Sequence, residues 1–145
     1  MSFLIDTNVI SELTRPNPDL QVVSFLHETD EDRLFVSVIT MGELRRGVAL
    51  KADGRAKSAL DAWLRLDLRE RFAGRIVNVT APVADMWGEL MATAKRQGTV
   101  LHAMDGFLAA TALVHDKTLV TRNIKDFAPF DVPLLNPWTP IAKTD

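Results

Sequence analysis

The chain has 145 residues, 47% of them apolar and 25% charged, with a net charge of −2 and no cysteine. That length suits one domain with its own core, the composition is that of a globular protein, and disulfide frameworks and thiolate metal sites are excluded. No apolar run approaches the roughly 18 residues that span a bilayer, and the N-terminus lacks the basic-then-apolar layout of a secretory signal, so a cytoplasmic protein with no membrane contact is expected.

Phe3-Leu4-Ile5 reads as a short buried strand. Asp6 and Thr7 follow it directly and read as a helix start, since their oxygens accept from free helical N–H groups. Pro16 and Pro18 mark a turn, with Asn17 expected to cap the next helix and Pro18 to enter its first turn. A second strand is expected over residues 34–38, and a helix opened by Thr40 runs through Leu44 and Val48. Beyond a break at Asp53-Gly54, Leu60, Trp63, Leu64 and Leu68 mark another helix. Residues 75–79 form the third expected strand, and Thr80 and Pro82 start a long helix that Gly98 ends. A helix from about Ala103 to His115, a fourth strand over 118–121 and a weak edge strand over 132–135 complete the series, Pro133 marking the last as an edge. Alternating strands and helices predict an α/β fold, a three-layer α/β/α sandwich with a mostly parallel central sheet. No repeat or linker interrupts residues 1–145, so a single domain is expected.

Charge is unevenly placed. Residues 1–44 carry two basic and eight acidic side chains, whereas residues 45–75 carry nine basic and four acidic ones. The basic block is either a surface that tracks phosphates or a solvated helical face. Among the acids, Asp6 and Asp126 follow strands, while Glu43 and Asp105 are expected in first helical turns. In a parallel sheet those positions share one edge, the one at which ligands bind. Each acid has a plainer explanation: Asp6 as a helix cap, Glu43 in a capping box with Thr40, Asp105 at a positive helix end, and Asp126 in a turn. Together they would repel one another and raise each other's pKa values. A divalent cation removes that penalty, and an all-oxygen set favours Mg²⁺, with Mn²⁺ possible, over Zn²⁺.

These segments resemble the PIN-domain nucleases, and within them the FitB-like subgroup of VapC-type toxins from toxin–antitoxin pairs. The similarity is carried by 3–12 (FLIDTNVISE), 43–48 (ELRRGV), 72–76 (FAGRI), Asp105-Gly106 with 109–112 (AATA), Thr121-Arg122-Asn123 through Asp126-Phe127, and Asn136-Pro137-Trp138. The resemblance implies a PIN-like nuclease domain over 1–145 with Asp6, Glu43 and Asp105 as acidic metal ligands. Either Asn123 or Asp126 fills the fourth acidic position, Thr7 and Thr121 are supporting hydroxyls, and Arg122 contacts phosphate. The implied activity is Mg²⁺-dependent endoribonuclease cleavage of RNA by an activated water. The implied partners are a VapB-type antitoxin, promoter DNA bound only through that antitoxin, and a second copy of the chain in a homodimer. Two other readings come from the residues: a non-catalytic subunit that stabilises a DNA-binding antitoxin, and a phosphatase with Asp6 as nucleophile. The second would want an Asp where Asn8 stands.

Overall fold

Phe3, Leu4 and Ile5 are all buried and form β1 (Phe3–Ile5). The structure is a computed structural model and describes residues 1–139. β1 pairs with β2 (Leu34–Ser37) on one side and β4 (Thr118–Val120) on the other. β3 (Ile76–Val77) and β5 (Leu134–Leu135) are the edges, giving the order β3-β2-β1-β4-β5 with every pairing parallel. Strands progress from β1 outward through β2 to β3, then resume on the other side at β4, so the order reverses at β1. A crevice therefore opens between the C-terminal ends of β1 and β4.

Strand side chains alternate between two cores. Phe3, Ile5, Leu34, Val36 and Val120 face one, with Val9 and Ile10 of α1 (Thr7–Glu12), Val22, Phe25 and Leu26 of α2 (Leu20–Glu28), and Met41, Leu44 and Val48 of α3 (Val38–Ala49). The same core takes Leu64, Leu68 and Phe72 from a long segment that starts as α4 (Arg55–Ala62). This segment widens to a π-helix at Trp63–Leu68 and closes as α5 (Arg69–Arg71). Leu4 and Leu119 face the other core. There they meet Val83, Leu90 and Ala94 of α6 (Ala81–Gln97), the alanine-rich α7 (Ala103–Val114) and Phe127 of α8 (Ile124–Phe127). Two helical layers thus cover a fully parallel sheet, the three-layer sandwich expected. Gly98 ends α6 in the left-handed region at φ 67°, where a side chain is strained.

Several boundaries differ from the sequence reading. Asp19, not Asn17, caps α2, its carboxylate accepting from the N–H groups of Gln21 and Val22, so Pro18 stays outside the helix. α3 starts at Val38 because Ser37 accepts from the Ile39 N–H, three residues earlier than a Thr40 start allows. The third strand is only two residues long, because Asn78 and Val79 lie exposed with no further strand beside them. Asp126 lies in the short helix α8 rather than in an irregular loop.

Five of the nine cations in the basic block are ion-paired, sharing three carboxylates. Arg65 pairs with Asp61 at 2.9 Å, Arg71 with Glu31 at 2.7 Å and Lys57 with Asp53 at 3.2 Å, while Arg45 and Arg75 reach Asp61 and Glu31 respectively. Arg46, Lys51, Arg55 and Arg69 remain exposed with no ion pair among the described residues. Of the two readings of this block, a solvated, paired face fits better than a continuous phosphate track. Among the described residues, no helix is long and apolar enough to cross a membrane.

Candidate metal centre at the sheet edge

The crevice where the strand order reverses holds a cavity of about 470 Å³. Among the described residues, Asp6, Glu12, Glu43 and Asp105 line it with carboxylates, Thr7, Asn8, Ser11 and Asn123 with neutral polar groups, and Arg15 with a cation. The three acids singled out from the sequence are therefore brought to one cavity. Asp126 is exposed and does not line it, although its charge raises the pKa of Asp105.

Asp6 is tied down most firmly. Its N–H donates to Val120 O across the β1–β4 pair, which places the residue at the end of β1. One carboxylate oxygen accepts from the Thr7 N–H at 2.6 Å and the other from the Thr121 hydroxyl at 2.7 Å. The Asn8 amide lies 3.4 Å from both the second oxygen and Thr121 Oγ1, and Thr121 Oγ1 also accepts from the Asn123 N–H. Burial is the largest cause that pushes the Asp6 pKa up to about 6, and the charges of Asp105 and Glu43 add to it. The hydrogen bonds from Thr121 and Thr7 act in the opposite direction but are outweighed.

Glu43 sits in the second turn of α3, so the capping-box explanation does not hold: Ser37 is the cap. Its carboxylate instead accepts from the Thr7 hydroxyl at 2.7 Å, which links α3 to the start of α1. Asp105 is half-buried in the first turn of α7. Its pKa is raised by burial first, then by the charges of Glu43 and Asp126, with His102 pulling it back. Thr7 thus bonds both acids, through its N–H to Asp6 and its hydroxyl to Glu43, and Thr121 bonds Asp6 through its hydroxyl. Arg122 has no carboxylate partner among the described residues; its guanidinium lies 5.0 Å from the ring centre of Trp138.

The donor set suits a hard divalent cation. Among the described residues, no three acidic or histidine side chains form a ready-made tight cage. A small cation that keeps several waters, as Mg²⁺ does, needs only one or two direct carboxylates. Asp6 and Asp105 both line the cavity with raised pKa values, burial being the largest cause at each, with the charges of Asp105 and Glu43 adding at Asp6 and those of Glu43 and Asp126 at Asp105.

Two features were not identified from sequence. Glu12 is buried, lines the cavity and pairs with Arg15 at 3.2 Å. The available signal was an acidic residue three positions before an arginine, just beyond the apolar Val9-Ile10 pair. Gly106 has no room for a side chain: a Cβ there would lie 2.9 Å from Met91 Sδ and 3.0 Å from the Trp87 ring. Trp87 cannot easily yield, being stacked on Phe107 and bonded through Nε1 to Ala103 O. Gly106→Ala is therefore expected to cost about 1–3 kcal/mol through overpacking and to shift the first turn of α7, which carries Asp105. Urea denaturation measures the first effect. The second appears as a loss of divalent-ion stabilisation beyond that seen in Gly88→Ala, a helical site with open space around it.

The PIN domain family matches residues 3–131, and the chain belongs to that family. Toxin FitB of Neisseria gonorrhoeae is 42% identical, over 93% of this chain and 97% of that protein. VapC ribonuclease Y4jK of Sinorhizobium fredii is 34% identical, over 94% and 98% respectively. The structure of FitAB bound to an IR36 DNA fragment superposes with a TM-score of 0.91 at 38% identity, covering 98% of this chain and 99% of that one.

Proposed function

We propose that this chain is a divalent-metal-dependent endoribonuclease and acts as the toxin of a toxin–antitoxin pair. The observation that carries the proposal is the cavity in which Asp6, Glu43 and Asp105 meet on a PIN domain. The likeness to Toxin FitB and to a VapC ribonuclease supports it. Asp6 and Asp105 would hold the ion, most simply Mg²⁺ with Mn²⁺ as substitute, and Glu43 would hold it directly or through water. When bound, the ion supplies positive charge that polarises the phosphodiester and lowers the pKa of water at the scissile phosphorus.

The chain's own residues prepare that chemistry. Thr121 and the Thr7 N–H fix both oxygens of Asp6, so its orientation is set before substrate arrives. Thr7 Oγ1 does the same for Glu43. Asn123, at the cavity wall, is suited to orient a water, which favours it over Asp126 for the fourth position. Arg122, stacked over Trp138, is suited to face an incoming phosphate. No side chain need attack covalently.

By the same reading, a VapB-type antitoxin covers the cavity, promoter DNA is reached only through that antitoxin, the chain pairs as a homodimer, and it works in the cytoplasm as one domain spanning 1–145. The DNA-bound FitAB structure supports the antitoxin and DNA parts. The alternative of a non-catalytic subunit has no observation in its favour, because all three carboxylates line the cavity.

Purified protein is expected to cut single-stranded RNA in Mg²⁺ or Mn²⁺ and to stop in EDTA; cleavage that persists in EDTA removes the proposal. A second expectation needs no substrate. Mg²⁺ at about tenfold its Kd adds about 1.4 kcal/mol of stability and raises Tm by about 5 °C. Asp105→Asn erases that rise in a thermal melt.

A further inference from the structure

A cavity lined by four carboxylates repels the polyanion it is proposed to cut. A bound cation relieves this at the scissile phosphate but not at its neighbours, and among the described residues Arg15 is the only cation on the cavity wall. Glu12 is 4% exposed at the end of α1 and holds Arg15 in place. One Glu12 oxygen accepts from Arg15 Nη1 at 3.2 Å, and the other accepts from the Asp19 N–H at 2.9 Å. The Glu12 carboxylate is thereby fixed to the fold through the turn before α2. Arg15 itself has a side chain 63% exposed. Its Nε and Nη2 groups make no hydrogen bond among the described residues. The side chain is anchored at one nitrogen with the rest of its planar fork free, an arrangement that suits a phosphate oxygen pair.

We propose that Arg15, positioned by the buried Glu12, forms a phosphate-binding subsite at the cavity that takes the RNA phosphate next to the one cleaved. This rests on the nuclease reading. Arg15 binds substrate without touching the scissile bond, so it acts on binding more than on turnover. Glu12 is a positioning residue: it sets where the guanidinium stands and contacts no RNA.

The test compares Arg15→Ala, Arg15→Lys and the double variant Glu12→Gln/Arg15→Ala. KM and kcat are measured on a single-stranded RNA in Mg²⁺, and the salt dependence of binding the same RNA is measured in EDTA by fluorescence anisotropy. The double variant is needed because Arg15→Ala alone leaves a buried carboxylate without its partner, which both weakens the fold and repels RNA. Arg15→Ala and the double variant are expected to raise KM about tenfold with kcat within about twofold. The slope of log K against log salt is expected to fall by about 0.7, the value for one lost single-strand phosphate contact. Arg15→Lys keeps the slope and loses part of the affinity. A double variant with wild-type KM and slope overturns the subsite, because Arg15 would then serve only to neutralise Glu12. Failure of the wild-type protein to cut RNA in Mg²⁺ is a different result and removes the nuclease reading together with the subsite that depends on it.

Discussion

Asp6→Asn and Asp105→Asn are each expected to lower RNA cleavage at least about 10³-fold, the scale of losing a few kcal/mol of charge stabilisation at the reacting phosphate. Asp6→Asn should at the same time make the metal-free protein more stable at neutral pH. The sign follows from the raised pKa. Asp6 titrates near pH 6 in the folded chain against a reference value of 3.8. Below about pH 3 the group is protonated in both states and costs nothing. As pH rises through 6, the unfolded chain has already released its proton while the folded chain must give it up in a buried, negative setting. Stability therefore falls across that window, by about 2–3 kcal/mol for this group. An asparagine keeps an oxygen for the Thr7 N–H and an amide to donate to Thr121 Oγ1, so the helix start survives. Urea denaturation in EDTA at pH 4.5 and 7.5 measures this: the wild-type protein should lose stability between the two, and Asp6→Asn should lose less. A variant that is inactive and also less stable at pH 7.5 contradicts the strained-carboxylate account.

Phe72→Ala is expected to be the most damaging single change to the fold, at about 3–5 kcal/mol. The Phe72 ring is fully buried where the long helical segment turns back toward β3, packed in the core with Leu64 and Leu68. The guanidinium groups of Arg75 and Arg71 lie 5.3 and 5.7 Å from its ring centre. Arg75 is itself bonded to the carbonyls of Glu31, Leu34 and Arg71, so the ring supports a lock between two distant stretches of chain. Removing the ring leaves a cavity and unseats that lock. Against a total stability of about 5–15 kcal/mol, the urea midpoint should fall by about a fifth or more with an unchanged slope. A loss below about 1 kcal/mol means that the site collapses freely and the ring is not structural.

The acids were legible because strand ends and the helix starts that follow them share one sheet edge, a property of every parallel α/β unit. That rule brought Asp6, Glu43 and Asp105 to one cavity from positions far apart in the chain. It also placed Asp126 nearby, yet the short helix α8 leaves that side chain exposed and off the cavity wall. Glu43 was expected at the right edge through a mistaken cap: Ser37 and Thr40 are equally good capping residues by type, and only the end of β2 decides between them. The Thr121 bond to Asp6 could not be read from spacing, since it requires β4 to lie beside β1 although β2 and β3 come between in sequence. The Glu12–Arg15 pair was hidden for a related reason. Its geometry depends on the Asp19 N–H folding back across a turn whose cap was assigned to the wrong residue.

β1 has a neighbour on each side, and the second of these, β4, is made only after residue 117. Until β4 pairs with β1, Asp6 has neither the Thr121 hydroxyl nor the Val120 carbonyl to fix it. The wiring of the sheet thus makes the pocket conditional on the β1–β4 pairing. A chain that has paired β1 with β2 but not yet with β4 carries the acids without the crevice that gathers them.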